Sequence, residues 1–296
     1  MEQTKIQVPA EAIEAYNQYI HGHIDRRAFM TRINAIAATS VAATAMIEAL
    51  TPNYAAAQQV SPTDPRIKTE RVTVQSPNGN GSINGLLARP ANAGTNKLPS
   101  ILVVHENRGL NPHIEDITRR LALANYVAFA PDALFSLGGY PGDEDKAREQ
   151  FGKLDQAKTR EDFVAAFEVL KKRPETTGKV GAVGFCYGGG MVNYLATRLG
   201  NDLAAGVAFY GSAPDLADVP KIKAPLLIQS AEQDDRINAS WPDYEKALQA
   251  AKVSYQRFLY PGTQHGFNND TTPRYDAAAA KLAWERTLAF FEKHLR

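Results

Sequence analysis

Short apolar runs alternate with segments of helical periodicity along most of this chain, from residue 99 to the C terminus. The apolar runs lie at 99–104, 126–130, 179–184, 204–210, 225–229 and 255–259. Helical periodicity follows at 113–124 and 158–172, then after Cys186, and finally at 241–251 and 276–294. Runs without polar alternation suit strands that are covered on both faces. The alternation therefore predicts an α/β fold with a mainly parallel sheet, helices on both faces and functional groups at the carboxyl ends of the strands.

The chain of 296 residues is long enough for one large α/β domain, and two domains are not required. Two further strands, at 71–74 and 83–88, are separated by a turn-rich stretch and indicate an antiparallel pair ahead of the parallel strands. The polar, proline-marked stretch at 61–65 indicates a linker. We therefore expect a linker at 58–68 and the folded domain at 69–296.

Residues 1–57 contain the features of an export signal in the usual order. Paired Arg26 and Arg27 precede a weakly apolar run at 33–47 and an A-x-A site that ends at Ala57. The paired arginines followed by Ala-Phe-Met resemble a twin-arginine signal, which implies the twin-arginine export machinery as a partner. Cleavage after Ala57 would leave a periplasmic protein, whereas an uncleaved segment would leave a membrane-anchored one.

A second interpretation of the same segment stays open. The long charged lead before Arg26 and the acidic Glu48 favour an amphipathic helix that packs on the domain. The apolar run is also short and rich in Ala and Thr, which is not typical of a membrane span.

The charge balance argues for a small-molecule partner. Lys and Arg total 33 and Asp and Glu total 32, so there is no broad positive field to hold a nucleic acid. The single cysteine excludes an internal disulfide and any metal site built from several cysteines.

That single cysteine, Cys186, stands in the sequence Gly-Phe-Cys-Tyr-Gly, directly after a predicted strand and before a predicted helix. The form is that of a nucleophile elbow, in which the nucleophile occupies a strained turn and the glycines at 184 and 188 allow close backbone approach. The helix N terminus favours the thiolate. Cys186 is therefore predicted to be a nucleophile, although an isolated cysteine in an α/β protein is usually a packing residue.

A base and an acid are expected after the nucleophile along the chain. His265 follows the strand at 255–259 on a glycine-flanked turn, and we predict that it is the base. The acid is Asp234 or Asp235, in the loop after the strand at 225–229. Asp234 is preferred because apolar Ile237, three residues later, would pack inward and direct its carboxylate toward the histidine.

Two backbone N–H groups are expected to stabilise an oxyanion. One is that of Tyr187, after the nucleophile, and the other lies in the loop after the first parallel strand, where Asn107 is the candidate. Glu106 in the same loop has no evident catalytic use, because a carboxylate beside a thiol keeps the proton on sulfur.

The sequences HENRG, GFCYGGG, the Asp loop and YPGTQHGF occur in this order, and the chain from about residue 69 to its end resembles the dienelactone hydrolases, also called carboxymethylenebutenolidases. The resemblance implies an α/β-hydrolase fold and a Cys-Asp-His triad at Cys186, Asp234 and His265. It also implies that Glu106 keeps the resting thiol unreactive until substrate binds. The alternative for Glu106 is a salt bridge to Arg108 or another basic residue.

The chain departs from the family at the positions that contact the substrate carboxylate. The family's dienelactone cleavers hold the substrate carboxylate with two arginines, and Ser136 and Asn269 stand at those positions here. The remaining candidates for an anion contact, each with a structural role as the alternative, are Arg108, Arg236 and Arg274. Tyr140 is a candidate for the pocket wall, with core packing as its alternative.

The predicted activity is cleavage of an ester or lactone through a thioester acyl-enzyme, without a metal or an organic cofactor. Two alternatives stay open: a broader carboxylesterase acting on neutral substrates, and a non-catalytic ligand-binding protein of the same fold. The sequence leaves the oligomeric state unknown.

Three further features are interpreted as structural. The sequence His21-Gly22-His23 lies in the predicted signal and has no third ligand nearby, so it is not predicted to bind a metal. Trp241 and Trp284 are expected to pack in the core, and 143–145 is expected to be a solvated helix start.

Overall fold

The computed structural model of this protein describes residues 8–296. Its strands are β1 (Ile67–Ser76), β2 (Gly81–Pro90), β3 (Leu98–Val104), β4 (Val127–Pro131), β5 (Thr176–Phe185), β6 (Leu203–Phe209), β7 (Leu226–Gln233) and β8 (Tyr255–Gln264). They form one eight-stranded sheet in the order β1-β2-β4-β3-β5-β6-β7-β8. β2 is antiparallel to both β1 and β4, and every other neighbouring pair is parallel. The predicted mainly parallel sheet with an antiparallel pair before it is confirmed.

The α-helices lie before, between and after these strands. They are α1 (Ala10–Ile20), α2 (Arg26–Ile36), α3 (Ser40–Leu50), α4 (Tyr54–Ala57), α5 (Pro112–Leu123), α6 (Glu144–Phe151), α7 (Gln156–Lys172), α8 (Tyr187–Leu199), α9 (Asp235–Asn238), α10 (Trp241–Ala250) and α11 (Ala277–Leu295). Short 3-10 helices occur at Ala133–Leu137, Gly200–Asp202 and Leu216–Lys221. The helix start expected at 143–145 is α6, which Asp143 caps by accepting the N–H of Lys146.

Both faces of the sheet are covered by apolar cores, and β3 shows why. Successive side chains of a strand point to opposite faces. Leu102 and Val104 belong to one core, and Ile101 and Val103 belong to the other. All four are fully buried, which explains why the sequence of this strand has no polar alternation.

Two strands extend beyond their predicted ends, and both extensions reach a candidate site residue. β7 continues to Gln233, directly before Asp234, and β8 continues to Gln264, directly before His265. Because neighbouring parallel strands end at the same edge of the sheet, these two residues are brought together there.

The segment 58–68, predicted as a linker, lies against the domain. Val60 is buried, its N–H donates to Asp116 in α5, and its carbonyl accepts from Arg119 in the same helix. β1 begins at Ile67, within the predicted linker.

The segment 8–57 forms α1 to α4 and contacts the domain. Helices α1, α2 and α3 share a small core made of Ala12, Ala15, Tyr16, Tyr19, Ile20, Phe29, Ile33, Ala43, Met46 and Leu50. On the domain side, the hydroxyl of Tyr19 donates to Asp145 at 2.5 Å and that of Tyr54 donates to Glu144 at 2.5 Å. The segment is therefore held by apolar packing within itself and by polar contacts to the start of α6.

The apolar run at 33–47 is divided between α2 and α3. Among residues 8–296, no helix is long and apolar enough to cross a membrane. Arg26 and Arg27 are exposed at the start of α2. The export signal and its cleavage after Ala57 stay predictions.

Candidate active site

Cys186 lies between the end of β5 and the first residue of α8, in a backbone conformation that few side chains adopt. Its φ is +56° and its ψ is −112°. Such strain at a non-glycine residue is typical of functional sites, where the surrounding structure holds it in place. The half-buried sulfur is thereby placed above the sheet at a helix N terminus, as the sequence predicts.

The two glycines of the motif permit contact between backbones. A Cβ atom on Gly188 would lie 2.2 Å from the carbonyl oxygen of Val104 in β3. A Cβ atom on Gly184 would lie 2.0 Å from the carbonyl oxygen of Gly188. Both separations are far below van der Waals contact, so only glycine fits while α8 starts this close to the sheet.

His265 and Asp234 meet at the carboxyl edge of the sheet. Nδ1 of His265 lies 2.6 Å from Oδ2 of Asp234, and both residues are buried. Asp235 is exposed at the start of α9. Ile237 is buried, as expected for an anchor of the loop. The structure therefore places Asp234, and not Asp235, against the imidazole.

Cys186 and His265 face each other across the site. Sγ of Cys186 and a ring nitrogen of His265 lie within 4.8 Å of one another. Nε2 of His265 is buried and has no hydrogen-bond partner in the described part of the chain. In the neutral imidazole that donates from Nδ1 to Asp234, Nε2 carries a free lone pair, as a base requires.

The surroundings of His265 favour its charged form. Burial by itself lowers the pKa of this imidazole, but the charge of a Cys186 thiolate and the hydrogen bond to Asp234 outweigh burial and raise the pKa to about 9.

Among residues 8–296, the backbone N–H groups of the two predicted oxyanion donors have no acceptor in the loops and turns. Tyr187 is the first residue of α8, so its N–H has no acceptor within the helix. The N–H of Asn107 makes no hydrogen bond to the described backbone of the turns and loops. Both residues are half-buried; Asn107 lines the cavity beside Cys186, and Tyr187 follows Cys186 directly in the chain.

Glu106 is held by a neutral side chain. Its Oε2 accepts a hydrogen bond from Nδ2 of Asn269 at 2.8 Å, and both residues line the cavity beside Cys186. Arg108 pairs with Glu144 at 3.5 Å instead. The salt bridge between Glu106 and Arg108, which the sequence left as an alternative, is therefore absent from the described residues.

Two of the three arginines considered as contacts for a substrate anion line the cavity. Arg108 and Arg274 line it, whereas Arg236 lies in the adjacent groove. Ser136 is exposed in the 3-10 helix after β4 and does not line the cavity.

Tyr140 does not reach Cys186. Its hydroxyl donates to Glu144 at 2.8 Å and it borders a second cavity. Trp241 and Trp284 pack against the two cores, as expected.

The segment 8–57 supplies the other half of the cavity, which the sequence did not predict. Tyr16, Ile20, His21 and Tyr54 line it together with the domain. The carbonyl of Ile20 accepts from Nδ2 of Asn107 at 3.1 Å. The space left beside Cys186 is about 20 Å³, room for about one water molecule. The amphipathic, aromatic pattern of α1 was the available signal, but it does not say which surface the helix covers.

His21, from the segment 8–57, lies beside Cys186. Its Nε2 lies 3.8 Å from Sγ of Cys186, and its ring meets that of His265 edge-on with centroids 4.8 Å apart. Burial and the nearby charge of His265 lower the pKa of His21 to about 2, so this imidazole stays neutral.

Comparison with known sequences identifies relatives over most of the chain. A sequence profile described as "Dienelactone hydrolase family" matches residues 83–295. A "Putative carboxymethylenebutenolidase" of Synechocystis sp. is 34% identical over 248 residues, covering 78% of this chain and 98% of that protein. A "Putative hydrolase fragment YghX" of Escherichia coli is 54% identical over 113 residues, 38% of this chain and 96% of that one.

Comparison with solved structures agrees with the sequence matches. A "Putative Dienelactone Hydrolase" of Klebsiella pneumoniae superposes with a TM-score of 0.69 at 27% identity, covering 77% of this chain and 99% of the other. The family profile begins at residue 83, so the segment 8–57 that covers the cavity lies outside the matched region.

Replacement of Gly188 by Ala tests the contact between α8 and β3. The added Cβ would meet the Val104 carbonyl at 2.2 Å, so we expect the free energy of unfolding to fall by about 1–3 kcal/mol in urea denaturation. Gly152→Ala is the control, because its Cβ would lie 3.5 Å from the nearest atom; it should be neutral or stabilising by up to about 1 kcal/mol. Equal losses in both variants would contradict the close contact.

Replacement of Asp234 by Asn tests the cause of the raised pKa of His265. Removing the carboxylate removes a group that favours the imidazolium, so the pKa should fall from about 9 by at least about one unit. Imidazole NMR titration measures it, with the His265 signal assigned by its loss in His265→Gln. Asp235→Asn, the exposed neighbour, should leave the titration unchanged, and a shift of the same size there would contradict the assignment.

Proposed function

Since this chain belongs to the dienelactone hydrolase family and is a hydrolase of that kind, we propose that it cleaves a carboxylic ester or lactone through a Cys-Asp-His triad. One observation carries the proposal: Cys186 at the strained elbow lies within 4.8 Å of His265, whose other nitrogen is bonded to Asp234 at 2.6 Å. The same three side chains serve as nucleophile, base and orienting acid in acyl transfer.

In the first half-reaction, Nε2 of His265 accepts the thiol proton and Sγ of Cys186 forms a bond to the substrate carbonyl carbon. The carbonyl oxygen becomes an oxyanion, which the N–H groups of Tyr187 and Asn107 stabilise. Its collapse breaks the bond to the leaving oxygen, which takes the proton from His265. The product is a thioester on Cys186.

In the second half-reaction, His265 takes a proton from water and the resulting hydroxide adds to the thioester carbonyl. Collapse releases the carboxylic acid and returns the proton to sulfur. Asp234 holds the imidazole in the required tautomer during both steps and stabilises its charged form.

For Glu106 we propose the role that the family resemblance implies, which is to keep the resting thiol unreactive. Its place in the cavity beside Cys186 supports this proposal, because a nearby negative charge disfavours the thiolate. Asn269 positions the carboxylate through the bond at 2.8 Å. A substrate carbonyl or carboxylate that takes this hydrogen bond would release Glu106.

The substrate is proposed to be a small ester or lactone, and a neutral acyl group has specific support. Asn269, at a position where the family's dienelactone cleavers carry an arginine, is uncharged and already bonded to Glu106. Arg108 and Arg274 line the cavity, but both hold the segment 8–57 through Ile20 and Asn17 respectively. A broader carboxylesterase activity is therefore the second candidate.

We propose that the chain is exported, because the paired arginines at 26–27 resemble a twin-arginine signal and are exposed at the start of α2. Cleavage after Ala57 would remove Tyr16, His21 and Tyr54 from the cavity and open the site to larger substrates. An uncleaved segment would instead stay as part of the cavity wall.

Turnover of small activated esters and of lactones by the full-length chain tests the proposed function. We expect Cys186→Ala and His265→Ala to lower kcat/KM by on the order of 10³-fold or more, because each removes a member of a unit that acts together. His294→Ala, a histidine near the end of α11, is the control and should be unaffected. Wild-type rates in Cys186→Ala would overturn the proposal, and the ranking of esters against lactones separates the two substrate classes.

Alkylation of the only cysteine tests the role of Glu106. Glu106→Gln keeps the acceptor for Asn269 but removes the charge, so iodoacetamide should label Cys186 several-fold faster at pH 7, as followed by mass spectrometry. Glu232→Gln, at the exposed end of β7, is the control and should label at the wild-type rate. A rate that is unchanged or slower in Glu106→Gln would contradict the role.

A further inference from the structure

Three potential metal ligands from distant parts of the chain converge at the cavity. Nε2 of His21, Sγ of Cys186 and a ring nitrogen of His265 lie within 4.8 Å of one another. The separation between His21 and Cys186 is 3.8 Å. For zinc bonds of about 2.0–2.1 Å to nitrogen and about 2.3 Å to sulfur, tetrahedral geometry brings two nitrogens and one sulfur to roughly 3.3–3.6 Å from one another. The cluster is therefore near the size that one ion would draw together.

Both imidazoles are oriented as metal ligands are. Nδ1 of His21 bonds to the backbone carbonyl of Asn17 at 2.8 Å, so this nitrogen carries the proton and donates it. Nδ1 of His265 bonds to Asp234 in the same way. Each ring therefore directs the lone pair of Nε2 into the cavity. Bonds of this kind, from the outer ring nitrogen to a carbonyl or carboxylate, fix the rings of metal-binding histidines.

One of these two Nε2 atoms has no hydrogen-bond partner among residues 8–296. His265 is 5% exposed, and its Nε2 has no hydrogen-bond partner among the described residues. A buried polar atom without a partner is costly unless something absent from the protein chain satisfies it. An ion at the centre of the cluster would satisfy it, and the cavity has space for about one water molecule as a fourth ligand.

We propose that His21, Cys186 and His265 bind a zinc-like divalent cation that links the segment 8–57 to the domain. Two imidazole nitrogens and one thiolate suit zinc and related ions, whereas magnesium and calcium require oxygen ligands. Binding replaces the thiol proton with a bond from Sγ to the ion and releases that proton to solvent. Asp234 and Glu106, on the two sides of the cluster, supply compensating negative charge.

Metal binding would also make the site inactive, and this consequence rests on the proposed function. The ion would bind Sγ of Cys186 and Nε2 of His265 at the same time. The sulfur could then not attack a carbonyl, and the imidazole could not accept a proton. The ion would also hold α1 over the cavity, because His21 follows that helix directly. The ion would thereby act as an inhibitor that a chelator removes, and metal supply would control the activity of the full-length chain.

Metal binding is measured on the reduced full-length protein without any substrate. Competition with a chromophoric chelator should give one Zn²⁺ per chain, and Co²⁺ in its place should give a near-ultraviolet thiolate charge-transfer band. His21→Ala and His21→Gln should weaken binding by at least about 100-fold, since the loss of a ligand exceeds the 10–100-fold cost of losing a supporting bond. His23→Ala, an exposed histidine on the same segment, is the matched control and should bind as the wild type does.

Two results would overturn the proposal. One is Zn²⁺ binding of equal strength in the wild type and both His21 variants, and the other is a Co²⁺ complex without the thiolate band. Thermal melting with Zn²⁺ gives a second measurement, because an ion that binds only the folded chain should raise Tm in the wild type and in His23→Ala but not in the His21 variants.

Hydrolysis assays distinguish this proposal from the proposed function. Zn²⁺ should inhibit ester cleavage by the wild type and His23→Ala, and EDTA should restore it, with much weaker inhibition of the His21 variants. If the chain binds Zn²⁺ as described but cleaves no ester, the metal site stands and the proposed function fails. If it cleaves esters without binding Zn²⁺, the proposed function stands and the metal site fails.

Discussion

The contact between the backbone of α8 and that of the central sheet is the constraint on which the rest of the site depends. Gly188 touches the end of β3, and Gly189 touches the end of β6, where an added Cβ would lie 2.5 Å from the carbonyl of Phe209. This contact sets the height and direction of the helix. Cys186 must then turn through a positive φ to join β5 to α8. The strained nucleophile is thus a result of how closely a helix packs on a sheet, and glycine is what permits that packing.

Sheet topology assembles the remaining groups around the elbow. β5, β6, β7 and β8 are neighbours and parallel, so the residues after β7 and β8 emerge beside the residue after β5. Asp234 and His265 are therefore positioned by strand ends rather than by flexible loops, which is how a 2.6 Å bond between them is kept. Burial then makes the electrostatics of this pair strong, because the carboxylate acts on the imidazole in a poorly solvated space.

The segment 8–57 encloses this site from the side opposite the sheet edge residues of the domain. It reduces the free space beside Cys186 to about 20 Å³ and places a neutral imidazole 3.8 Å from the sulfur. Its contacts with the domain include the side chain of Asn107 and the guanidinium of Arg274, two residues that line the same cavity. Whether it is removed or retained decides how large a molecule reaches the nucleophile.

Much of the fold and of the catalytic constellation could be predicted from the sequence, because both follow from local pattern and chain order. Apolar runs between amphipathic helices specify a parallel sheet, and the glycine spacing around Cys186 specifies a tight strand-to-helix turn. The order of Cys186, Asp234 and His265 along the chain, each after a strand, places them on one edge because parallel strands end together. The choice of Asp234 over Asp235 also followed from a local feature, the inward packing of Ile237.

Other features depended on contacts that no local pattern encodes. His21 meets Cys186 across 165 residues of sequence, and Asn269 meets Glu106 across 163. The first contact depends on where an amphipathic segment docks, and the second on how two loops pack at the sheet edge. The sequence by itself determined the sheet, the elbow and the order of the reacting groups through periodicity and connectivity. Only the tertiary structure decided what covers the nucleophile and which side chain holds Glu106, because these are set by the packing of surfaces far apart in the chain.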